Sequence, residues 1–225
     1  MTIQTCIFDA YGTLFDVDAA ARQVAKEPGQ SQLAAVWATL SKDWRSKQLE
    51  YTWLRTISGR HIPFWQVTQD ALDWAMENNG LVDNALRAKL LAVYKECPAY
   101  AEVIPMLKAL KEKDVNIAIL SNGSPDMLVP AVRSAGIGEY LDDVLSVEDA
   151  NIFKPHASVY DLVWDRFDTP QTDVLFASSN GWDAAGAAGY GFATVWVNRN
   201  DLPQDRLWAT PHRTLKSLKT IPDLV

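Results

Sequence analysis

A single carboxylate stands directly after the first apolar run of the chain. The stretch FDAYGTLFD covers residues 8–16, and Asp9 within it follows the run TCIF. A carboxylate presented at the end of a buried strand can attack carbon and form an ester on the enzyme. The second residue after it is Tyr11, and a tyrosine side chain, with its pKa of about 10, cannot protonate a leaving group near neutral pH. The motif therefore offers a nucleophile without a second acid beside it.

Other polar side chains follow later strand-like runs. Ser121 and Asn122 come after NIAIL, and Lys154 comes after VEDANIF. The carboxyl ends of parallel strands meet at one edge of a sheet, so these loops should converge. Asp, Ser and Asn also make ordinary turns, but four such loops with a cation among the carboxylates favour a site. The residues predicted to meet are Asp9, Thr13, Ser121, Asn122, Lys154, Ser178, Ser179, Asn180 and Asp183.

The elements that must position these residues alternate in the second half of the chain. The strand-like runs VNIAIL, DVLSV, DVLFA and ATVWV are separated by helical patterns such as SPDMLVPAVRSAG. In that helix Ser124 can act as the N-cap, Pro125 suits the first turn and Gly136 can end it. Strands that are joined by helices imply a parallel sheet. We therefore predict an α/β core.

The region between the first strand and this alternating part is helical in character. In DWRSKQLEYTWLRTI, apolar residues such as Trp44, Leu54 and Ile57 recur near helical spacing. An insertion after the first strand stands over the carboxyl ends of the strands, where open α/β sheets bind ligands. We interpret residues 17–97 as a helical cap domain, inserted in a core domain of residues 1–16 and 98–225.

Composition narrows the class of protein. The net charge is −7 and no basic tract is present, which argues against nucleic acid as a partner. No apolar run approaches the about 20 residues that span a membrane, and no secretory signal pattern opens the chain. Cys6 and Cys97 fit no disulfide or metal spacing. We expect a cytoplasmic protein that binds neither nucleic acid nor membrane.

The motifs together resemble a known family. The set DAYGT, LSNG, KP and SSNGWD is similar to the haloacid dehalogenase (HAD) superfamily, and WRSKQLEYTWLR with SSNGWDAAGA resembles its L-2-haloacid dehalogenases. The resemblance covers nearly the whole chain. It implies a Rossmann-like core with an inserted cap, acting as a homodimer. It also implies hydrolysis of short L-2-haloalkanoic acids by water to D-2-hydroxy acids, with inversion, through an ester on Asp9.

The resemblance further implies roles for individual residues. Asp9 would be the nucleophile, and Lys154 would favour its ionised form. Arg45, in the cap, would stabilise the departing halide as negative charge builds there. Asp183 would position or activate the hydrolytic water. The remaining roles fall to Thr13, Tyr160, Ser178 and Asn180 as supports, Asn122 and Trp182 at the halide, Ser121 at the substrate carboxylate, and Tyr11, Leu49, Phe64 and Trp182 around the substrate side chain.

The main alternative is phosphoryl transfer within the same superfamily. Phosphatases of this kind carry an acid two residues after the nucleophile, where this chain has Tyr11. They also bind Mg²⁺ through a carboxylate four residues before the last acid, where this chain has Ser179. A neutral hydroxyl is a poor ligand for a hard cation. We therefore predict that the protein is a dehalogenase that needs no metal or cofactor. The alternatives are a phosphatase that acts on small phosphate esters and a binding protein without catalytic activity.

One residue assignment also has an alternative. Phe64 could equally be a core residue of the cap.

Overall fold

Residues 2–225 are described by a computed structural model, and they contain one six-stranded sheet. The strands are β1 (Thr5–Phe8), β2 (Asn116–Ser121), β3 (Asp143–Ser146), β4 (Val174–Ser178), β5 (Ala193–Val197) and β6 (Arg213–Leu215). Their order is β3-β2-β1-β4-β5-β6, and every neighbouring pair is parallel. The predicted parallel sheet is confirmed, and β6 is an edge strand that the sequence pattern did not indicate.

Besides four short 3₁₀ helices, the described residues also form eight α-helices. They are α1 (Ala19–Val24), α2 (Ser31–Ser58), α3 (Phe64–Asn78), α4 (Asn84–Lys95), α5 (Val103–Lys111), α6 (Pro125–Ser134), α7 (Ala157–Phe167) and α8 (Gly181–Tyr190). In residues 2–225 no helix combines the length and the apolar character that crossing a bilayer requires.

The middle of the sheet is where the strand order reverses. From β1 the chain runs to β2 and β3 on one side, and then to β4, β5 and β6 on the other. Open α/β sheets bind ligands at such a reversal, outside the carboxyl ends of the strands. Phe8 at the end of β1 pairs with Ala177 of β4. The residues that follow these two strands therefore lie side by side at the reversal.

The chain divides into two compact units. The core unit contains residues 2–15, 99–123 and 136–225, and it holds the whole sheet. In this unit α5 and α7 pack against β2, whereas α8 packs against β4 and β5. The apolar run of β1 is fully buried, from Cys6 to Phe8, as is usual for a central strand of a parallel sheet.

The helical unit contains residues 16–98 together with 124–135. Its helix α6 belongs to the predicted core range, but here it packs against α4. Lys95 Nζ on α4 lies 3.4 Å from Asp126 Oδ2 on α6. The Thr68 hydroxyl on α3 lies 4.0 Å from Met127 Sδ. These contacts group α6 with the helical unit, and the role of that unit as a cap domain stays a prediction.

The buried face of α2 differs from the hydrophobic pattern in its sequence. Trp44 is buried, but Leu54 and Ile57 are exposed. The buried position one turn after Trp44 is Gln48, whose Nε2 donates a hydrogen bond to Thr68 Oγ1 at 2.9 Å. A buried amide is tolerated when it is hydrogen-bonded. The predicted apolar stripe is therefore wrong over the last turns of α2.

Candidate active site

Asp9 is the first residue beyond β1, and the backbone anchors it beside β4. Its N–H donates to the carbonyl of Ala177 at 3.0 Å. The chain then turns through Gly12, which has a φ of +90°. A Cβ at that position would lie 3.0 Å from Ser179 Oγ, so the turn requires glycine for both its conformation and its space. This explains why a glycine follows the carboxylate so closely in the sequence.

The two carboxylate oxygens of Asp9 have different partners. Oδ2 accepts from Thr13 Oγ1 and from Asn180 Nδ2, both at 2.9 Å. Oδ1 lies 3.3 Å from the ammonium of Lys154. The side chain is almost completely buried, so these three donors replace the water that would otherwise solvate the charge. The carboxylate is held in one orientation, with Oδ1 less tightly engaged than Oδ2.

Lys154 bridges two buried carboxylates. Its Nζ lies 2.9 Å from Asp183 Oδ2 in addition to its contact with Asp9, and its side chain is only 1% exposed. A buried ammonium is tolerated only when it is paired in this way. The backbone N–H of Lys154 donates to Asn122 Oδ1 at 3.0 Å. Asn122 therefore positions the lysine loop, which is a contact that the sequence did not indicate.

Asp183 lies on the first turn of α8 and is fully buried. Its Oδ1 accepts from the hydroxyl of Tyr160 at 2.9 Å. Burial raises the pKa of Asp183 above the usual carboxylate range, the charge of Lys154 acts against this, and the charge of Asp9 adds to it. Burial raises the pKa of Tyr160 well above its ordinary value, so its hydroxyl is a donor at neutral pH.

The loop after β4 supports Thr13 and Asn180. The N–H of Ser179 donates to Thr13 Oγ1 at 2.8 Å, and the N–H of Asn180 donates to Ser178 Oγ at 3.1 Å. Trp196 Nε1 donates to the Ser179 carbonyl at 3.1 Å. Trp196 was not among the predicted residues, although it stands near the end of β5, where the same strand-end rule applies. Because its hydroxyl accepts from the N–H of Asn180, Ser178 supports Asn180 and does not contact Asp9 through a bond of its own.

Three further predicted residues of the core unit lie at the same strand ends. The Ser121 hydroxyl accepts from the N–H of Gly123 at 3.0 Å. The ring of Tyr11 is buried, with its centroid 5.9 Å from that of Phe15. Trp182 is half-buried on the first turn of α8. Their predicted contacts with substrate and halide remain predictions.

The other predicted residues belong to the helical unit. Arg45 and Leu49 are half-buried on α2, and Phe64 is buried at the start of α3. Arg45 lines a small cavity of about 10 Å³ together with Tyr94. Burial raises the pKa of Tyr94, and the nearby charge of Arg45 acts in the opposite direction. The burial of Phe64 fits the alternative of a core residue, and the substrate roles of all three residues stay predictions.

The charged groups of the cluster are two carboxylates and one ammonium. Within residues 2–225, no group of three or more His, Cys, Asp or Glu side chains is arranged to hold a metal ion. The cluster can hold an ionised carboxylate ready for attack, keep a second carboxylate beside it, and balance both with a single positive charge.

Comparison with known proteins identifies the family. The family of hydrolases described as haloacid dehalogenase-like hydrolase matches residues 3–191. (S)-2-haloacid dehalogenase 1 of Pseudomonas sp. (strain CBS-3) is 42% identical, over 99% of this chain and 96% of that one. A dehalogenase crystal structure has a TM-score of 0.94 at 38% identity, covering 99% of this chain and 97% of that chain.

A further solved structure has a compound covalently bound. It is the L-2-haloacid dehalogenase of Xanthobacter autotrophicus with chloropropionic acid covalently bound, and its TM-score is 0.87 at 33% identity. The similarity covers 99% of this chain and 98% of that one. Because a family match and relatives of this similarity extend over most of its length, the chain belongs to the haloacid dehalogenase-like hydrolases.

Proposed function

We propose that this protein is an (S)-2-haloacid dehalogenase, which hydrolyses short L-2-haloalkanoic acids to D-2-hydroxy acids. The observation that carries the proposal is the carboxylate of Asp9, buried at the end of β1 and paired with Lys154, which also pairs with Asp183. Relatives named as (S)-2-haloacid dehalogenases, 37 to 42% identical over nearly the whole chain, support the substrate class.

In the first half-reaction Asp9 Oδ1 attacks C2 of the substrate. Among residues 2–225 the polar partner of this oxygen is Lys154 Nζ, at 3.3 Å, so the oxygen keeps a lone pair available. The carbon–oxygen bond forms as the carbon–halogen bond breaks, and the halide leaves with the bonding electrons from the opposite face. This inverts C2. Arg45 would stabilise the leaving halide, with Asn122 and Trp182 beside it.

In the second half-reaction water attacks Cγ of the Asp9 ester. Asp183 takes a proton from the water and then returns it to the departing alkoxide oxygen, which releases the hydroxy acid. The remaining proton leaves to solvent when Asp9 ionises again. Oδ2 carries the negative charge of the tetrahedral intermediate, because Thr13 and Asn180 already donate to it at 2.9 Å. One oxygen of Asp9 therefore comes from water after each turnover.

Substrate binding involves the remaining predicted residues. Ser121 and backbone N–H groups near Tyr11 would bind the substrate carboxylate. Leu49 and Phe64 would border the substrate side chain, together with Tyr11 and Trp182. The support for these roles is the burial of Ser121 and Tyr11 at the strand ends beside Asp9.

The phosphatase alternative is not favoured. At the position where such phosphatases carry a metal-binding carboxylate, this chain has the neutral hydroxyl of Ser179, which lies 3.1 Å from Thr13 Oγ1. Tyr11, two residues after the nucleophile, is buried against Phe15. At these two positions the side chains therefore contact neighbouring residues, and neither of them is an acid.

Organisation and location form part of the same proposal. Residues 17–97 would act as a cap on a core of residues 1–16 and 98–225, in a cytoplasmic homodimer. The two buried free thiols, Cys6 and Cys97, support a reducing compartment. The exposed apolar side chains of Leu54 and Ile57 on α2 support association.

A substrate panel tests the function. L- and D-2-chloropropionate and a phosphate ester are each incubated with EDTA or with Mg²⁺, and free halide and phosphate are measured. We expect halide from the L-acid alone, with no effect of EDTA. Phosphate release that needs Mg²⁺, without halide, would overturn the proposal.

A single turnover in heavy-oxygen water tests the covalent ester. The label should enter Asp9 first, and label found directly in the hydroxy acid would contradict the ester.

A further inference from the structure

The guanidinium of Arg199 contacts the turn that carries the nucleophile. Arg199 is the second residue after β5. Its Nη2 donates to the carbonyl of Thr13 at 2.9 Å, and its Nη1 donates to Glu102 Oε1 at 2.5 Å. Its Cζ also lies 3.8 Å from the ring centroid of Tyr100. Three separate contacts therefore fix one side chain.

This ion pair differs from those on the protein surface. The side chains of Arg199 and Glu102 are only 16% and 10% exposed. Burial alone would raise the pKa of Glu102, but hydrogen bonds from Arg199 and from backbone groups bring it below its ordinary value. The guanidinium group is planar and rigid, so arginine loses less side-chain entropy for each hydrogen bond that it forms while stacked on a ring. The group is thus a rigid support and not a mobile surface charge.

The support reaches the nucleophile through a single residue. The carbonyl of Thr13 accepts from Arg199, and the hydroxyl of Thr13 donates to Asp9 Oδ2. The N–H of Tyr100 also donates to the carbonyl of Leu14 at 3.0 Å. The backbone of the turn is therefore held at two successive carbonyls, those of Thr13 and Leu14, by Arg199 and by the segment around Tyr100.

We propose that Arg199 is a positioning residue for the nucleophile, acting through Thr13. Glu102 and Tyr100 hold the guanidinium, the guanidinium holds the Thr13 carbonyl, and the Thr13 hydroxyl then holds Asp9 Oδ2 in the orientation for attack. The catalytic consequence rests on the proposed dehalogenase function. A small displacement of Asp9 lowers the rate of attack more than it weakens the binding of substrate, because Arg199 contacts Thr13, which holds Asp9, and does not itself contact Ser121 or the N–H groups near Tyr11.

The test compares R199Q with a matched control, R166Q. Arg166 also pairs with a carboxylate, Asp143, and its guanidinium lies over the ring of Phe167, but it stands on α7 away from the turn. We expect R199Q to lower kcat for L-2-chloropropionate by about 10²-fold with little change in KM. R166Q should leave both unchanged. R199K should recover part of kcat, since it keeps the charge but not the fork of donors.

A second measurement does not depend on turnover. The amides of Leu14 and Phe15 bond to the carbonyl of Ala10 within the turn. Their hydrogen exchange should become about tenfold faster in R199Q, but not in R166Q. Should R199Q fail to fold, E102Q and R199K provide the same comparison.

The outcomes separate the two proposals. Unchanged exchange in the turn, or an equal loss of kcat in R166Q, would overturn the role of Arg199. A rise in KM at constant kcat would also overturn it, because that pattern indicates lost substrate binding. Absence of halide release by the wild-type protein would instead refute the proposed function, and the exchange data would still decide whether Arg199 holds the turn.

Discussion

The core unit and the helical unit bury different kinds of polar group. In residues 2–225 the buried charged side chains are Asp9, Lys154 and Asp183, all in the core unit. The helical unit buries only neutral polar side chains, such as Gln48 and Thr68, which bond to each other. Neutral groups that are fully hydrogen-bonded cost little to bury, whereas buried charges are costly even when paired.

This difference shows which unit loses folding free energy by burying charge. The helical unit uses its buried amide and hydroxyls to fix how α2 packs on α3. The core unit accepts three buried charges at one edge of its sheet, and this is the feature expected of a site that must keep a nucleophile ionised and partly dry. The contrast can be tested by removing one buried group at a time.

The largest expected effect is on activity, from a change at Asp9, the proposed nucleophile. D9N removes the attacking oxygen and should lower kcat for L-2-chloropropionate by about 10⁶-fold, as for removal of other covalent nucleophiles. Halide release measures it, and mass spectrometry should show no ester on the variant. D126N is the control, since it neutralises an exposed carboxylate of the helical unit and should leave kcat unchanged. Substantial halide release by D9N would contradict the covalent mechanism.

The next effect is on the stability of the core unit. K154M leaves Asp9 and Asp183 buried without their counter-charge, and should destabilise the protein by about 3–5 kcal/mol at pH 7. Urea denaturation measures this loss. Removing the ammonium raises the pKa of Asp183 further, so the folded protein binds protons that the unfolded chain has released. Stability should therefore recover as the pH falls. A loss that is the same at every pH would contradict the charge-based explanation.

The matching change in the helical unit is smaller and of another kind. Q48L removes the amide that bonds to Thr68 and to the Tyr94 hydroxyl, and should cost about 1–3 kcal/mol because buried partners lose a hydrogen bond. The partners that lose the bond are the Thr68 hydroxyl, which carries no charge, and the Tyr94 hydroxyl, whose pKa burial raises further, so the loss should be independent of pH in urea denaturation between pH 5 and 8. If the loss in free energy of unfolding caused by Q48L varied strongly with pH, the proposed difference between a charged core site and a neutral helical unit would be wrong.

The smallest effect is a shift in a pH profile. Y160F removes a donor to the Asp183 carboxylate, and that hydrogen bond favours the ionised form. The pKa of Asp183 therefore rises in the variant. The proposed mechanism requires an ionised Asp183 to accept the proton of water, so the acid limb of the profile of kcat against pH should move to higher pH. An acid limb that stays in place would show that Asp183 is not the group that titrates.

Much of the core site was predictable from strand ends. Asp9, Asn122, Lys154 and Asp183 follow strands of a parallel sheet, and topology alone brings such positions to one edge. Arg199 also follows a strand, but its role depends on Glu102 and Tyr100, whose positions no local pattern indicates. The sequence therefore indicated the charged groups that meet at this edge of the sheet, but not the contacts that Arg199 makes with Glu102 and Tyr100.

Weak or misleading local signals account for the other differences. The edge strand β6 has only three residues, largely exposed, so it carries no alternation of apolar and polar side chains. On α2 the apolar Ile57 is exposed and the polar Gln48 is buried, because a partner on another helix satisfies the amide. The grouping of α6 with α4 likewise depends on contacts between segments far apart in the chain.

By itself the sequence determined the alternation of helices with the strands β1 to β5, the parallel sheet, and the residue types available for chemistry at the strand ends. These follow from periodicity and from local turn preferences, which act over a few residues. Only the tertiary structure decided that Lys154 joins two carboxylates, that the two oxygens of Asp9 have different partners, and that Arg199 supports the turn. Hydrogen bonds and ion pairs require distances of about 3 Å between atoms of distant segments, set to within a few tenths of an ångström, and no pattern along the chain specifies those distances.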